Sequence, residues 1–290
     1  MTTLAAPTAA ELAKQALNQL NSLATLPEVT ANVIKTVEDP KSSAAQLHAI
    51  VRHDPALVSR VLKVVNSAFY GLPGQVTSID RAIVLLGLNA VKNLSVAASM
   101  GQMFRGMHLS SKYSAKDLWA HCVAVAVIAK EIAKKVKPAL ADEAFLCGMV
   151  HDIGILIELQ TWPEKVWQTC EQLPDAGTYM EIEKKVIGVN HTFLGKLLAE
   201  KWQFPKLCQT VASLHHTPHL AGETERELVN IIYIADTLCC QTGYAFCLTG
   251  ATQQITADHL KAINAAPGLV DEMKAKIPEF VRSAAPLLAL

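Results

Sequence analysis

Apolar residues recur at helical spacing along nearly the whole of this 290-residue chain, and no run alternates strictly enough to make a strand. A chain striped in this way can bury its apolar faces only by packing helix against helix. The predicted fold is therefore all-α, a multi-helix bundle. Proline, glycine and capping residues punctuate it. A first amphipathic helix is predicted over 9–23; Pro27 opens a second that Asp39-Pro40 stops near Glu38. Ser42-Ser43 cap a third that runs to His53, and Asp54, as N-cap with Pro55 behind it, starts a fourth with Leu57, Val58, Val61, Leu62 and Val65 on its buried stripe. A turn at 72–77 precedes a helix over 79–86 that Ser78 caps and Gly87 ends, and another follows over 89–103. Beyond it, helices are expected over 115–136, 138–150, 155–172, 178–188, 190–202, 205–215 and 225–242, with two short ones in 255–287. The stretch 101–111 interrupts the apolar pattern and divides the chain into an N-terminal helical subdomain, 1–108, and a second helical subdomain, 109–290.

Composition narrows the function classes. Apolar residues make up 51%, enough for a large core. Lys plus Arg and Asp plus Glu stand at 26 each, so no basic excess favours a phosphate backbone and nucleic acid is not an expected partner. Lys130, Lys134, Lys135 and Lys137 read as a solvated helix end. Seven cysteines without a CxxC pair fit a reducing compartment, with Cys122 and Cys147 as small core residues. The start MTTLAAPTAAELAKQ has no signal-peptide pattern, and no apolar run reaches the ~20 residues of a membrane span. A cytoplasmic protein without a membrane segment is expected.

The ligand-type side chains are concentrated. Five of the ten histidines stand with two aspartates in the order His121, His151-Asp152, His191, His215-His216, Asp236, each on or beside an apolar helical stretch. Asp117 and His121 are four apart and share a helix face, so Asp117 is an additional ligand or an orienting partner. His151-Asp152 ends an apolar helix, where adjacent side chains can turn toward one point and a carboxylate can bridge two ions. His191 follows Asn190 at a helix start, and His215-His216 close another helix before Thr217-Pro218. Asp236 lies inside the apolar run 229–238, where an acid needs a metal or an arginine, of which Arg226 is nearby. Mixed imidazole and carboxylate ligation suits one or two divalent transition ions such as Fe, Mn, Zn or Ni rather than Ca. Two such ions could activate water against a phosphoester, with Asp152 at the centre of the catalysis. Lys116, Lys196 and Lys201 are then the candidate phosphate clamps. In the first half, Asn66-Ser67-Ala68-Phe69-Tyr70-Gly71 followed by Ile79-Asp80-Arg81-Ala82-Ile83 and Leu86-Gly87 reads as a helix end, a loop held by Asn66 and Ser67, aromatic plugs at Phe69 and Tyr70, and a candidate docking surface. Arg81 can pair there with Asp54 or Asp80.

This order of motifs resembles the HD superfamily of metal-dependent phosphohydrolases. The pattern at 66–87 ahead of an HD-like half resembles the HDOD domain more specifically, over roughly 19–240. The resemblance implies an all-helical, HD-like bundle with an N-terminal helical subdomain and a bacterial protein of signalling or regulatory pathways. It further implies a His/Asp metal centre, a protein partner and a phosphate-containing small ligand. The chain is also similar to HD-GYP phosphodiesterases at His121, His151, Asp152, His191, His215, His216 and Asp236, and at Asp117, where those carry Glu. It departs from them after the His pair: His215-His216-Thr217-Pro218-His219-Leu220-Ala221-Gly222 contains no Gly-Tyr-Pro. The alternative the resemblance carries is a metal-dependent phosphohydrolase of a nucleotide or cyclic nucleotide.

Overall fold

The computed structural model describes residues 7–19, 26–39, 41–172 and 177–290, and among them it is all-α, without a strand. Six helices come before the interruption: α1 (Ala9–Gln19), α2 (Glu28–Glu38), α3 (Ala44–Val51), α4 (Pro55–Val65), α5 (Ile79–Leu86) and α6 (Leu88–Met103). The remainder are α7 (Ala115–Val136), α8 (Ala141–Val150), α9 (Ile153–Thr161), α10 (Pro163–Glu171), α11 (Tyr179–Val186), α12 (His191–Lys201), α13 (Lys206–Leu214), α14 (Arg226–Gln241), α15 (Ala257–Ala262), α16 (Leu269–Ser283) and α17 (Ala285–Leu288). Residues 20–23 of the first predicted helix, and Pro40 in the predicted stop, lie outside the described residues.

Local chemistry sets these boundaries. Ser43 and Gln46 form a capping box on α3, with the Ser43 amide donating to Gln46 Oε1 at 2.7 Å. Asp54 Oδ1 accepts from the Leu57 amide at 2.9 Å and Pro55 fills the first position of α4. Ser78 caps α5 through the Arg81 amide at 3.2 Å. Asp54 is thus a cap, and Asp80 pairs with His48 at 3.1 Å, which are the roles the structure gives to the two acids considered for Arg81. The helix expected over 155–172 is two helices, broken at Trp162-Pro163. Pro163 has no amide to donate and disfavours a helical Trp162, so α9 ends and α10 begins there.

Asn66 closes the 66–76 loop as the sequence suggests. Its Nδ2 donates to the carbonyls of Leu62 at 2.9 Å and Val76 at 2.7 Å, and its Oδ1 accepts from the Val76 amide at 2.7 Å. Phe69 then packs edge-on to Tyr70 and tilts against Phe145 of α8.

The helices that matter for function are α7, α8, α9, α12, α13 and α14. The long α7 lies against α8 and α14; α9 crosses α12, which in turn packs on α13. Two glycines permit these approaches. A Cβ on Gly148 of α8 would lie 2.7 Å from Ala126 Cα on α7. A Cβ on Gly154 of α9 would overlap the carbonyl oxygen of His191 and come within 2.8 Å of the Gly195 amide nitrogen on α12. In the N-terminal half α6 is covered by α2, α4 and α5 and reaches α8, and a contiguous buried cluster runs from Ala13 to Leu290.

Candidate metal centre

Each ligand-type side chain arrives from a helix end or from one face of a buried helix. His121 comes from the middle of α7 and Asp236 from α14. His151 ends α8 and Asp152 is the residue before α9. His191 opens α12 behind its cap Asn190, whose Oδ1 accepts from the Phe193 amide at 3.1 Å. His215 and His216 follow α13. His121, His151, Asp152, His191, His215 and Asp236 are fully buried, and the His216 side chain is only slightly exposed.

Their polar atoms converge. His121 Nε2 lies 3.2 Å from His151 Nε2, 3.2 Å from Asp236 Oδ1 and 3.6 Å from Asp152 Oδ2. His151 Nε2 lies 3.3 Å from the same Oδ2. On the other side Asp152 Oδ1 lies 3.2 Å from His215 Nε2 and 3.4 Å from His191 Nε2, which is 3.1 Å from His216 Nε2. The two oxygens of Asp152 therefore face two donor groups: one of His121, His151 and Asp236, the other of His191, His215 and His216.

These separations are those of ligands around an ion. Metal–nitrogen bonds of about 2.0–2.1 Å place neighbouring donors roughly 3.0–3.4 Å apart. As a hydrogen-bond network the arrangement fails. Both oxygens of Asp152, Asp236 Oδ2 and His215 Nε2 are buried without an aligned hydrogen-bond partner, despite the short distances. Burying an ionised carboxylate so poorly satisfied costs several kcal/mol. A divalent cation at the convergence point answers each orphaned atom, so the residues present fit a metal.

The far sides of three rings are held, while His121 Nδ1 is buried without a hydrogen-bond partner. His151 Nδ1 lies 2.8 Å from the Gly148 carbonyl and His215 Nδ1 lies 3.0 Å from that of Val211. His191 Nδ1 faces both oxygens of Glu183 at 3.0 Å. The carbonyl contacts place the proton of His151 and His215 on Nδ1, as Glu183 does for His191 when its carboxyl is ionised, and each Nε2 lone pair then faces inward. Glu183 is a neighbour of the cluster that the motif order does not reveal; its carboxyl is pushed up to about 8, chiefly by burial. Glu158 lies buried beside it, and burial first and Glu183 second push its carboxyl up.

Asp117 stands apart from the convergence. Its Oδ2 accepts from the Ser114 amide and hydroxyl, both at 2.7 Å, closing a capping box on α7. Cys240 was not singled out from sequence, yet its Sγ lies 3.4 Å from Asp236 Oδ1 and it groups with His121 and Asp236. The i,i+4 spacing from Asp236 is the signal that marks it. Asp236 finds His121, His216 and Cys240 about it, while Arg226 sits at the start of α14. Of the lysines considered as phosphate clamps, Lys196 pairs with Glu200 at 4.0 Å, Lys201 donates to the Leu17 carbonyl at 3.1 Å, and Lys116 lines a separate cavity with Arg105 and Trp119.

The protonation of the metal-free cluster follows from burial and the two acids. Burial pushes His151 down, but Asp152 beside it and Asp236 outweigh that and hold it up at about 9. Burial lowers His191 and His215, and burial with repulsion from those two rings lowers His216. Burial opposes ionisation of Asp152 and Asp236 too, yet His151 for the first and His121 for the second hold them below the usual carboxylate range. Metal ligands bind deprotonated, so uptake must expel the His151 proton. Titration calorimetry of zinc into the metal-free protein in buffers of different ionisation heat is expected to show about one proton released near pH 7.5. Affinity should rise with pH up to about 9 and level off above it. The stability that His151 lends the metal-free protein runs the other way: it is full below 6.5 and lost as pH rises through about 9.

Among the described residues no helix is long and apolar enough to cross a membrane. Comparison with solved structures gives the same fold at low identity. An HDOD domain protein of unknown function from Geobacter sulfurreducens superposes with a TM-score of 0.82 at 20% identity, over 96% of this chain and 98% of that one. A protein from Marinobacter aquaeolei VT8, named as a candidate signal transduction protein, superposes with a TM-score of 0.75 at 21% identity, over 96% of this chain and 66% of that one. An uncharacterized protein of Treponema pallidum (strain Nichols) is 24% identical over 229 residues, 78% of this chain, and the chain spans only 44% of that relative's length. The model of the HDOD domain matches residues 23–218, about two thirds of the sequence, so this chain belongs to the HDOD family.

Proposed function

We propose that this chain is a signalling or regulatory module built around a buried metal centre, in which the ion organises the helices and the N-terminal half docks a protein partner. The closure of the donor set carries the reading. Structural metal sites are closed, whereas catalytic ones keep a position open to substrate. Here six of the seven candidate ligands are fully buried, and the three lysines considered as phosphate clamps are engaged or placed elsewhere. The segment 242–256 lies over the centre: a Cβ on Gly250 would sit 3.0 Å from Asp236 Oδ2, and Gln253 hydrogen-bonds His216. For docking, α5 presents Val84 and Leu85 at 72% and 41% exposure, within the motif that distinguishes the N-terminal half. The signalling name of the Marinobacter protein agrees with this reading.

A second reading has its own support. The division of Asp152's oxygens between two donor groups suits a pair of ions, and such a pair supplies activated water and charge stabilisation to a phosphoester when bound. In that case His121, His151 and Asp236 would hold one ion, His191, His215 and His216 the other, and Asp152 both. A phosphoester panel separates the two. The protein loaded with Fe, Mn, Zn or Ni is expected to give no turnover of bis-p-nitrophenyl phosphate or of cyclic mono- and dinucleotides above the metal-only blank. Metal-dependent turnover that disappears in Asp152→Asn would overturn the signalling-module reading in favour of the phosphohydrolase.

A further inference from the structure

His151, His191 and His215 have their outer nitrogens fixed by carbonyl or carboxylate oxygens, but the carboxylate oxygen facing His216 Nδ1, Asp236 Oδ2, stands 3.9 Å away, beyond hydrogen-bond reach. Its Nδ1 meets the side-chain amide of Gln253, written with Nε2 toward the ring. Gln253 lies in the segment after α14, beyond the residues matched by the family. Its own amide is tied to the Gly250 carbonyl at 3.0 Å, and the next residue's carbonyl accepts from the Tyr233 hydroxyl at 2.9 Å. The side chain is therefore held in place from both sides.

We infer that Gln253 is the positioning residue for His216, its amide oxygen accepting the Nδ1 proton so that the Nε2 lone pair faces the ion. The inference rests on the metal-centre reading and follows from counting hydrogens. Thr237 Oγ1 lies 2.7 Å from the Tyr233 carbonyl oxygen and 2.7 Å from the Gln253 atom written as Oε1. A hydroxyl has one proton, and both of these neighbours are acceptors. One of the two 2.7 Å oxygen–oxygen contacts would then have no hydrogen. The two ends of a glutamine amide are told apart only by such networks. Turning the amide over gives every contact its proton: Gln253 Nε2 donates to Thr237 Oγ1, Thr237 donates to the Tyr233 carbonyl, and His216 Nδ1 donates to Gln253 Oε1. His216 Nε2 is then a bare acceptor 3.1 Å from His191 Nε2, and His191 carries its proton on Nδ1 when the facing Glu183 is ionised. Two facing lone pairs at that distance repel in the absence of a cation and form a coordination edge in its presence. The same ring thus acquires the orientation its three partners already have, from a residue that the motif order does not include.

The opposite arrangement has Gln253 donating to Nδ1 and His216 donating through Nε2 to His191. Nitrogen-15 correlation spectra of the full chain labelled at histidine, recorded with zinc present, read the tautomer directly. The expected result is a proton on His216 Nδ1; a proton on Nε2 overturns the inference. Zinc competition titrations on two variants add the affinity. Gln253→Glu keeps an oxygen acceptor and should hold zinc within about threefold of the wild type, while Gln253→Met, of similar volume, should lose roughly 10–100-fold and lose the fixed tautomer. A Gln253→Met protein that keeps both wild-type tautomer and affinity also overturns it. A wild type with the Nδ1 proton in place but no stoichiometric zinc would count against the metal centre and leave the Gln253 contact standing.

Discussion

Asp152→Ala is expected to abolish the stabilisation that metal gives this protein. Asp152 lies within 3.6 Å of His121, His151, His191 and His215 together, and it faces both donor groups. Loss of an outer partner of a ligand costs about 10–100-fold in affinity, so loss of the shared ligand should exceed roughly 100-fold. An ion at a hundred times its dissociation constant adds about 2.7 kcal/mol. For a chain of this size that is a rise in melting temperature of roughly 4–5 °C. Wild-type protein should show that rise between chelator and added zinc or manganese, and Asp152→Ala should show none while still melting cooperatively. An undiminished metal-dependent shift in the variant would mean that the convergence of side chains is not a binding site.

Gly154→Ala should damage fold and centre together. The added Cβ has no room, because the His191 carbonyl and the Gly195 amide of α12 already occupy its place. Backbone cannot move aside as a flexible side chain does, so α9 and α12 must part. Overpacking of this kind costs about 1–3 kcal/mol and sometimes more; with backbone on both sides we expect roughly 3–5 kcal/mol. Asp152 and His191 stand at the starts of the two helices, so their separation should also weaken the metal affinity of whatever protein folds. Thermal melts with chelator and with metal measure both effects. A variant that melts with the wild type in both conditions would show that the close crossing of α9 and α12 is not required.

How much of this was legible in the sequence depended on whether the signal was local. The caps were: Ser43, Asp54 and Ser78 each stand where an apolar stripe begins and each receives a helix amide. So was α7, whose bounds at Ala115–Val136 coincide with the apolar run. The break at Trp162-Pro163 was missed because periodicity on both sides continued in phase, although a proline inside a pattern is itself a stop signal. For the site, the motif order named side chains that the fold does bring within contact of one another. Asp117 shows the limit of spacing: four residues before His121 it shares a face with it, yet its position three after Ser114 equally suits a cap, and the cap is what forms. Glu183, Cys240 and Gln253 were not legible as partners of the centre. Each reaches it through tertiary packing or a loop return, and an acid, a thiol and an amide on ordinary stretches carry no mark of what they will face.

The measurement that bears most directly on the account is elemental analysis by mass spectrometry of the full chain purified without added metal, and again after reconstitution, beside His151→Ala. Both oxygens of Asp152 and the Oδ2 of Asp236 are buried without an aligned hydrogen-bond partner, which a bound cation would satisfy. The expected result is one or two equivalents of Fe, Mn, Zn or Ni in the wild type and a marked loss in the variant. No stoichiometric metal in the wild type, even after reconstitution, would contradict it.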